Sequence, residues 1–114
     1  MSDLYPLRQV NLVVSDLERS QTFYSRFGWQ FRRMGEAALI ADAGGLLIAL
    51  HLPDFVRMWN EGYDGRTGGA TVLDVSVPDR ASVAPQEPFD AFFGSRYAVV
   101  EDPDGNLVGL KSPR

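Results

Sequence analysis

The chain has 114 residues, of which 45% are hydrophobic and 23% are charged, and its formal charge is −4. This composition is typical of one globular domain with its own core, and it excludes an intrinsically disordered chain. The absence of cysteine excludes disulfides and thiolate metal sites and is compatible with the cytoplasm, where we expect the protein to reside. The acidic balance argues against nucleic-acid binding, and we expect no signal peptide and no membrane span.

The first half of the chain predicts the element order β-α-β-β-β. Residues 9–14 alternate as a strand with two faces. Ser15 and Glu18 form a capping box that predicts a helix over 16–27, and Gly28 is a natural helix stop. Further strands are predicted over 29–34, 37–41 and 46–52.

The second half repeats this pattern after a glycine-rich connector, in which a helical turn is possible over 54–59. The repeat places Val72 on Gln9 and Gly109 on Ala49, which indicates two tandem modules. We therefore predict one α+β domain over residues 1–114, with module one at about 5–53, the connector at 54–69 and module two at about 70–114.

The middle of the second module is irregular. The segment 84–88 carries Pro85 and Pro88 and is hostile to a helix. The second helix is therefore expected to be very short or absent, and a missing segment near 81–85 is the alternative.

The two modules and the closing stretch over 93–108, with Phe-Gly-Ser-Arg-Tyr followed by Asp-Pro-Asp-Gly-Asn, resemble the vicinal oxygen chelate superfamily. Its members include glyoxalase I, extradiol dioxygenases, fosfomycin resistance enzymes and bleomycin resistance proteins. The resemblance covers about residues 7–113 and implies a glyoxalase/bleomycin resistance-type fold of two βαβββ modules. It does not define a function, because this fold carries both enzymes and binding proteins.

Metal-dependent members of the superfamily place ligands at positions that correspond here to Gln9, Ala49, Val72 and Gly109. Three of these residues have no donor side chain, and one glutamine oxygen is too few for a catalytic divalent ion. This departure from the family's pattern predicts a protein with no resident metal or cofactor, and we assign no catalytic residue.

The resemblance implies a ligand cavity. Its walls carry polar side chains, and aromatic residues lie on the loops nearby. For His51 the alternative is a rim histidine that is hydrogen-bonded to backbone or water. Asp74 is expected to face a water-filled groove, a partner such as Lys111 or a cationic ligand, and the alternative is a solvent-exposed strand position. The candidate ligand-binding residues are Gln9, Asn11, His51, Trp59, Asp74 and Phe93.

These features favour a small-molecule binding protein that sequesters a planar or cationic organic ligand such as an antibiotic, similar to bleomycin resistance proteins. The alternative is a glyoxalase-like lyase or dioxygenase, with an atypical metal site or metal-free acid–base catalysis by His51, Asp74 or Glu101. A third possibility is an interaction module that keeps only the fold. We also expect a homodimer, with apolar area supplied by Phe89, Phe92 and Phe93.

Overall fold

The structure, a computed structural model, describes residues 3–69, 71–77, 89–90 and 96–112. It divides into two compact units, Met1–Thr67 and Gly68–Arg114, and the boundary falls within the predicted connector 54–69. Within the described residues, no helix has the length and apolar character needed to cross a membrane.

Each unit contains one four-stranded sheet. The first unit consists of β1 (Gln9–Val13), α1 (Leu17–Tyr24), a 3-10 turn (Ser25–Phe27), β2 (Arg32–Arg33), β3 (Ala38–Asp42), β4 (Leu47–His51) and α2 (Pro53–Arg57). The described elements of the second unit are β5 (Val72–Ser76), β6 (Phe89–Asp90), β7 (Arg96–Glu101) and β8 (Leu107–Ser112).

The sheet of the first unit has the strand order β1-β4-β3-β2 and confirms the predicted β-α-β-β-β arrangement. Strands β1 and β4 are parallel, and the other pairs are antiparallel. Strand β2 is shorter than the predicted strand over 29–34. Because Trp29 stacks on Tyr24 of α1, with ring centroids 5.7 Å apart, the start of that segment packs against the helix instead of extending the sheet.

Helix α1 is capped one residue later than predicted. Asp16, not Ser15, is the N-cap, and its carboxylate accepts a hydrogen bond from the backbone N–H of Arg19 at 3.1 Å. Serine and aspartate are both good N-caps, so the sequence alone did not separate the two positions. The predicted stop is confirmed, since Gly28 has a φ of 83° in the left-handed region.

The core of the first unit lies between α1 and one face of its sheet. Helix α1 contacts β3 and β4, and strand alternation directs every second side chain toward it. The buried residues of the helix are Leu17, Ser20 and Tyr24, and those of the sheet include Leu12, Leu39, Ile48 and Leu50.

The second unit repeats the topology of the first, with the order β5-β8-β7-β6 and a parallel β5–β8 pair. Asp74 pairs with Gly109 as Asn11 pairs with Ala49. This register confirms the internal repeat. The prediction of a short or absent second helix concerns residues 78–88, which lie outside the described residues.

A tight turn closes the β3–β4 hairpin of the first unit. The carboxylate of Asp42 accepts hydrogen bonds from the backbone N–H groups of Gly44 and Gly45, each at 2.8 Å. The N–H groups of Gly45 and Gly44 hold the pKa of Asp42 below its usual value. Both glycines have positive φ angles, which favours glycine in this turn.

The equivalent turn between β7 and β8 is centred on Asp102. Its carboxylate accepts from the backbone N–H of Asp104 at 2.9 Å and of Asn106 at 2.8 Å, and from Nδ2 of Asn106 at 3.0 Å. Asp102 and Asn106 are buried, whereas Asp42 is exposed. The repeated aspartate is therefore a structural turn residue in both units.

We predict that Asp102→Ala lowers the free energy of unfolding by about 2–3 kcal/mol, because it leaves buried donors without an acceptor. Asp42→Ala is the matched control at the equivalent position, and its effect should be smaller because water replaces the lost acceptor there. Urea unfolding followed by circular dichroism measures both. Equal shifts in the two variants would contradict the assignment.

Candidate functional site

The face of the first sheet opposite α1 carries the sequence-predicted polar residues. Gln9, Asn11 and Val13 share this face, because strand side chains alternate. The parallel ladder sets them beside Leu47, Ala49 and His51, respectively. We call these six residues the open face of the first unit because α1 does not pack on it. Of the six, Asn11 is exposed, whereas Ala49 and His51 are buried.

Two amide side chains form one end of the open face. Nε2 of Gln9 donates a hydrogen bond to Oδ1 of Asn11, and the two atoms are 2.6 Å apart. Asn11 is exposed and Gln9 is half-buried. Beside Asn11 lies Ala49, a small residue that is fully buried. The structure therefore brings together two of the predicted ligand-binding residues next to a small residue.

His51 closes the other end of the open face and is buried, with 3% of its surface exposed, so it is not an exposed rim residue. Its ladder neighbours, Val13 on β1 and Ala38 on β3, are apolar. Neither Nδ1 nor Nε2 has a hydrogen-bond partner among the residues that the structure describes. Burial lowers the pKa of His51 below its ordinary value, since a charged imidazolium is disfavoured away from water.

Two aromatic rings from α2 and the residues after it flank the imidazole. The ring of Phe55 lies 4.7 Å from the His51 ring, and that of Trp59 lies 6.2 Å away, both in edge-on orientations. Pro53 starts α2 immediately after β4, and Val56 anchors the helix by burial. Trp59 is 60% exposed. The helix thus places one covering ring and one accessible ring beside the only histidine of the chain.

Sequence reasoning singled out Trp59 but missed Phe55. A signal was available for the two aromatic residues, because Phe55 and Trp59 are four residues apart within the predicted helical turn 54–59. Residues four apart share one face of a helix. The helical turn that the sequence predicted in the connector contains both aromatic residues, and its prediction is confirmed by α2.

In the second unit, Asp74 is paired. Its Oδ2 lies 3.1 Å from Nζ of Lys111, and both side chains are half-exposed. At this position the second unit therefore has a half-exposed ion pair instead of a lone carboxylate. Of the alternatives for Asp74, the structure shows the pairing with Lys111.

Phe93, the sixth candidate residue, lies outside the described residues, as does Phe92. Phe89 is described only through its backbone in β6. The structure therefore assigns no position to these three side chains.

The donor chemistry at the four family ligand positions does not fit a resident metal ion. Ala49 and Gly109 offer no side-chain donor, and Val72 offers only methyl groups. Gln9 supplies a single neutral amide, which is too few ligands for a divalent ion. Nor does any group of three or more His, Asp or Glu residues suited to a metal ion occur in the described ranges.

Comparisons with known proteins agree with this architecture. The family described as bleomycin resistance protein-like N-terminal matches residues 8–41. A search of curated proteins found no match to the chain.

Three solved structures illustrate the similarity in fold. A glyoxalase-related enzyme from Fulvimarina pelagi has a TM-score of 0.80 at 21% identity, over 96% of this chain and 88% of that one. A glyoxalase/bleomycin resistance protein/dioxygenase family enzyme from Burkholderia phytofirmans PsJN gives 0.79 at 19% identity, over 96% and 100%. A lactoylglutathione lyase from Agrobacterium tumefaciens gives 0.71 at 16% identity, over 97% and 96%.

The match over residues 8–41 supports the predicted resemblance, and the chain has the α+β fold of the glyoxalase/bleomycin resistance/dioxygenase structures.

The buried imidazole predicts a pH dependence of stability. Because the folded state lowers the pKa of His51 from its ordinary value of 6.5, stability is fully present above pH 6.5. It is lost as the pH falls from there through the lower folded-state pKa. We expect the free energy of unfolding of the wild type to fall more steeply below pH 6.5 than that of His51→Gln. Both proteins share every carboxylate, so parallel curves in urea unfolding would contradict the prediction.

The donor set predicts that the purified protein carries far less than one equivalent of zinc, iron, nickel or manganese. A chelator should then leave the melting temperature unchanged, because no metal is linked to folding. Elemental analysis and a thermal melt measure both quantities. Near-stoichiometric metal that disappears in Gln9→Ala would show that the family position still binds an ion.

Proposed function

We propose that the protein is a small-molecule binding protein without a resident metal, and that it sequesters a planar organic ligand such as an antibiotic. The observation that carries this proposal is the composition of the open face of the first unit. Amide groups lie at one end, a buried imidazole flanked by aromatic rings lies at the other, and Ala49 lies between them. Polar groups at the margins of an apolar, aromatic surface are typical of sites for organic molecules.

The spacing on this face suits a ring system. Ala49, beside Asn11, precedes His51 by two residues, which is about 6.6 Å along a strand. A fused aromatic ligand of that length spans the distance from the amide to the imidazole. The exposed indole of Trp59 is then available to stack on the ligand.

Charge narrows the class of ligand. The formal charge of −4 favours the approach of cations, but Lys111 already neutralises Asp74 at 3.1 Å. A ligand cation has to compete with that ammonium group for the carboxylate. We therefore propose an uncharged planar ligand for the open face of the first unit.

The names of the compared structures include enzymes, among them a lactoylglutathione lyase. At 16% to 21% identity these structures support the fold and not a reaction. A lyase or dioxygenase with an atypical metal site needs donor groups that the four family positions of this chain do not supply. Binding without catalysis is therefore the function that this site supports best.

The homodimer remains a prediction, as does the cytoplasmic location. The aromatic residues on which the dimer prediction depends have no described side chains. The described residues offer other exposed apolar area, namely Leu4, Tyr5, Leu7, Met58 and Val72.

Binding is tested by titrating planar antibiotics and aromatic metabolites against the wild type and Trp59→Ala in a calorimeter. We expect Trp59→Ala to weaken binding by about 1 kcal/mol, or roughly fivefold, through loss of stacking. Met58→Ala is the matched control, because Met58 precedes Trp59 and is 79% exposed. In a Trp29→Phe background, Trp59 is the sole tryptophan, and its fluorescence should report ligand contact directly.

Asp74→Asn tests the charge argument in the same titration. Little effect on uncharged ligands is expected, whereas a tenfold loss confined to cationic ligands would make Asp74 their partner. If no planar compound binds the wild type, the proposed function is wrong. If binding is equal in the wild type, Trp59→Ala and Met58→Ala, the ligand binds elsewhere.

A further inference from the structure

The imidazole of His51 has hydrogen-bonding capacity that the described part of the protein does not use. A neutral imidazole has one donor nitrogen and one acceptor nitrogen. Both are buried, and neither has a partner among the described residues. Buried polar groups in folded proteins are almost always hydrogen-bonded. We therefore expect the imidazole to have a partner that is not among the described residues.

The surroundings of the imidazole favour an organic partner over a lone water molecule. A buried water needs two to four polar partners to be stable. The side chains identified around His51, which are Val13, Ala38, Phe55 and Trp59, are apolar or aromatic. The exposed indole of Trp59 is a surface on which a ligand ring can pack. A water molecule would find almost no hydrogen-bonding group there other than the imidazole itself.

The charge of the partner group follows from the same contacts. A carboxylate or phosphate could accept a hydrogen bond from the neutral imidazole, but its charge would lose hydration among apolar and aromatic side chains. An ammonium group would bring an unpaired charge against apolar side chains, with no described acid in the ladder positions beside His51. A hydroxyl or carboxamide group bonds to a neutral imidazole without either penalty.

We propose that His51 is the hydrogen-bonding anchor of the ligand site, and that the ligand group which it binds is an uncharged hydroxyl or carboxamide carried on an aromatic ring. The inference rests on the proposed function, because it takes the open face of the first unit as the site. It adds that the ligand is recognised as a neutral molecule, through a nitrogen of the buried imidazole.

Four naphthalene probes test this selectivity, since they share one ring system and differ in one polar group. They are naphthol, naphthamide, naphthoate and naphthylmethylammonium. We expect naphthol and naphthamide to bind the full-length wild type about tenfold more tightly than the two charged probes, the ratio expected from one net hydrogen bond. Because the chain has a single histidine, nitrogen NMR of isotope-labelled protein reports its imidazole alone. The two neutral probes should shift those signals without protonating the ring.

Two substitutions separate hydrogen bonding from packing. His51→Phe keeps an aromatic ring and should remove the preference for naphthol, a loss of about tenfold. His51→Gln keeps a donor and an acceptor and should retain part of that preference. Thermal melts establish that both variants fold. The wild-type titration and NMR need neither variant.

The outcomes distinguish the two proposals. Binding of all four probes with equal affinity, unchanged in His51→Phe, would overturn the role of His51 and leave the planar-ligand function intact. Tightest binding of naphthoate with a protonated imidazole would overturn the neutral-ligand assignment. If no probe binds and the imidazole signals do not change, both the anchor and the planar-ligand site are wrong.

Discussion

The parallel pairing of the first and last strands in each unit determines where the candidate residues on the strands lie. β1 pairs with β4, and β5 pairs with β8. Because strand side chains alternate with a period of two, a shift of one residue in either pair would exchange the two faces of that strand. In the first unit, such a shift would bring Gln9 and Asn11 against α1 and expose Leu12. The apolar face under the helix therefore fixes the register, and the register in turn places the amides and the imidazole on the opposite face.

The same register carries different chemistry in the two units. His51 and Lys111 occupy equivalent ladder positions, opposite Val13 and Ser76. Lys111 has a long, flexible side chain and reaches a carboxylate on the neighbouring strand, so it forms an ion pair in contact with water. His51 has a short, rigid ring beside Phe55, so it is shielded from water and burial lowers its pKa. The position in the repeat therefore determines which face of the sheet the side chain lies on, and the residues packed around it determine whether its charge is stabilised.

Periodicity and turn chemistry were sufficient to predict most of the described fold. The alternation over 9–14, the repeat that equates Asn11 with Asp74, and the stop at Gly28 are all local signals, and the structure confirms them. The misses depend on side-chain contacts between neighbouring elements, only four or five residues apart in sequence, or on near-equal local choices. Strand β2 is shortened by the stacking of Trp29 on Tyr24, and the burial of His51 depends on side chains from α2. No alternation pattern contains either contact.

The buried imidazole of His51 has no hydrogen-bond partner among the described residues. The first unit tolerates this because its stability comes from apolar packing. The packed face under α1, with Leu12, Ile48, Leu50 and Tyr24 buried, supplies the apolar contacts that hold the sheet. An unsatisfied buried polar group costs about 1–3 kcal/mol, a substantial fraction of the roughly 5–15 kcal/mol that stabilises a domain. A ligand that bonds to the imidazole removes this cost only in the bound state. In the proposed complex, the hydrogen bond to His51 would therefore add to the affinity for the ligand about as much free energy as the unpartnered imidazole costs the free protein.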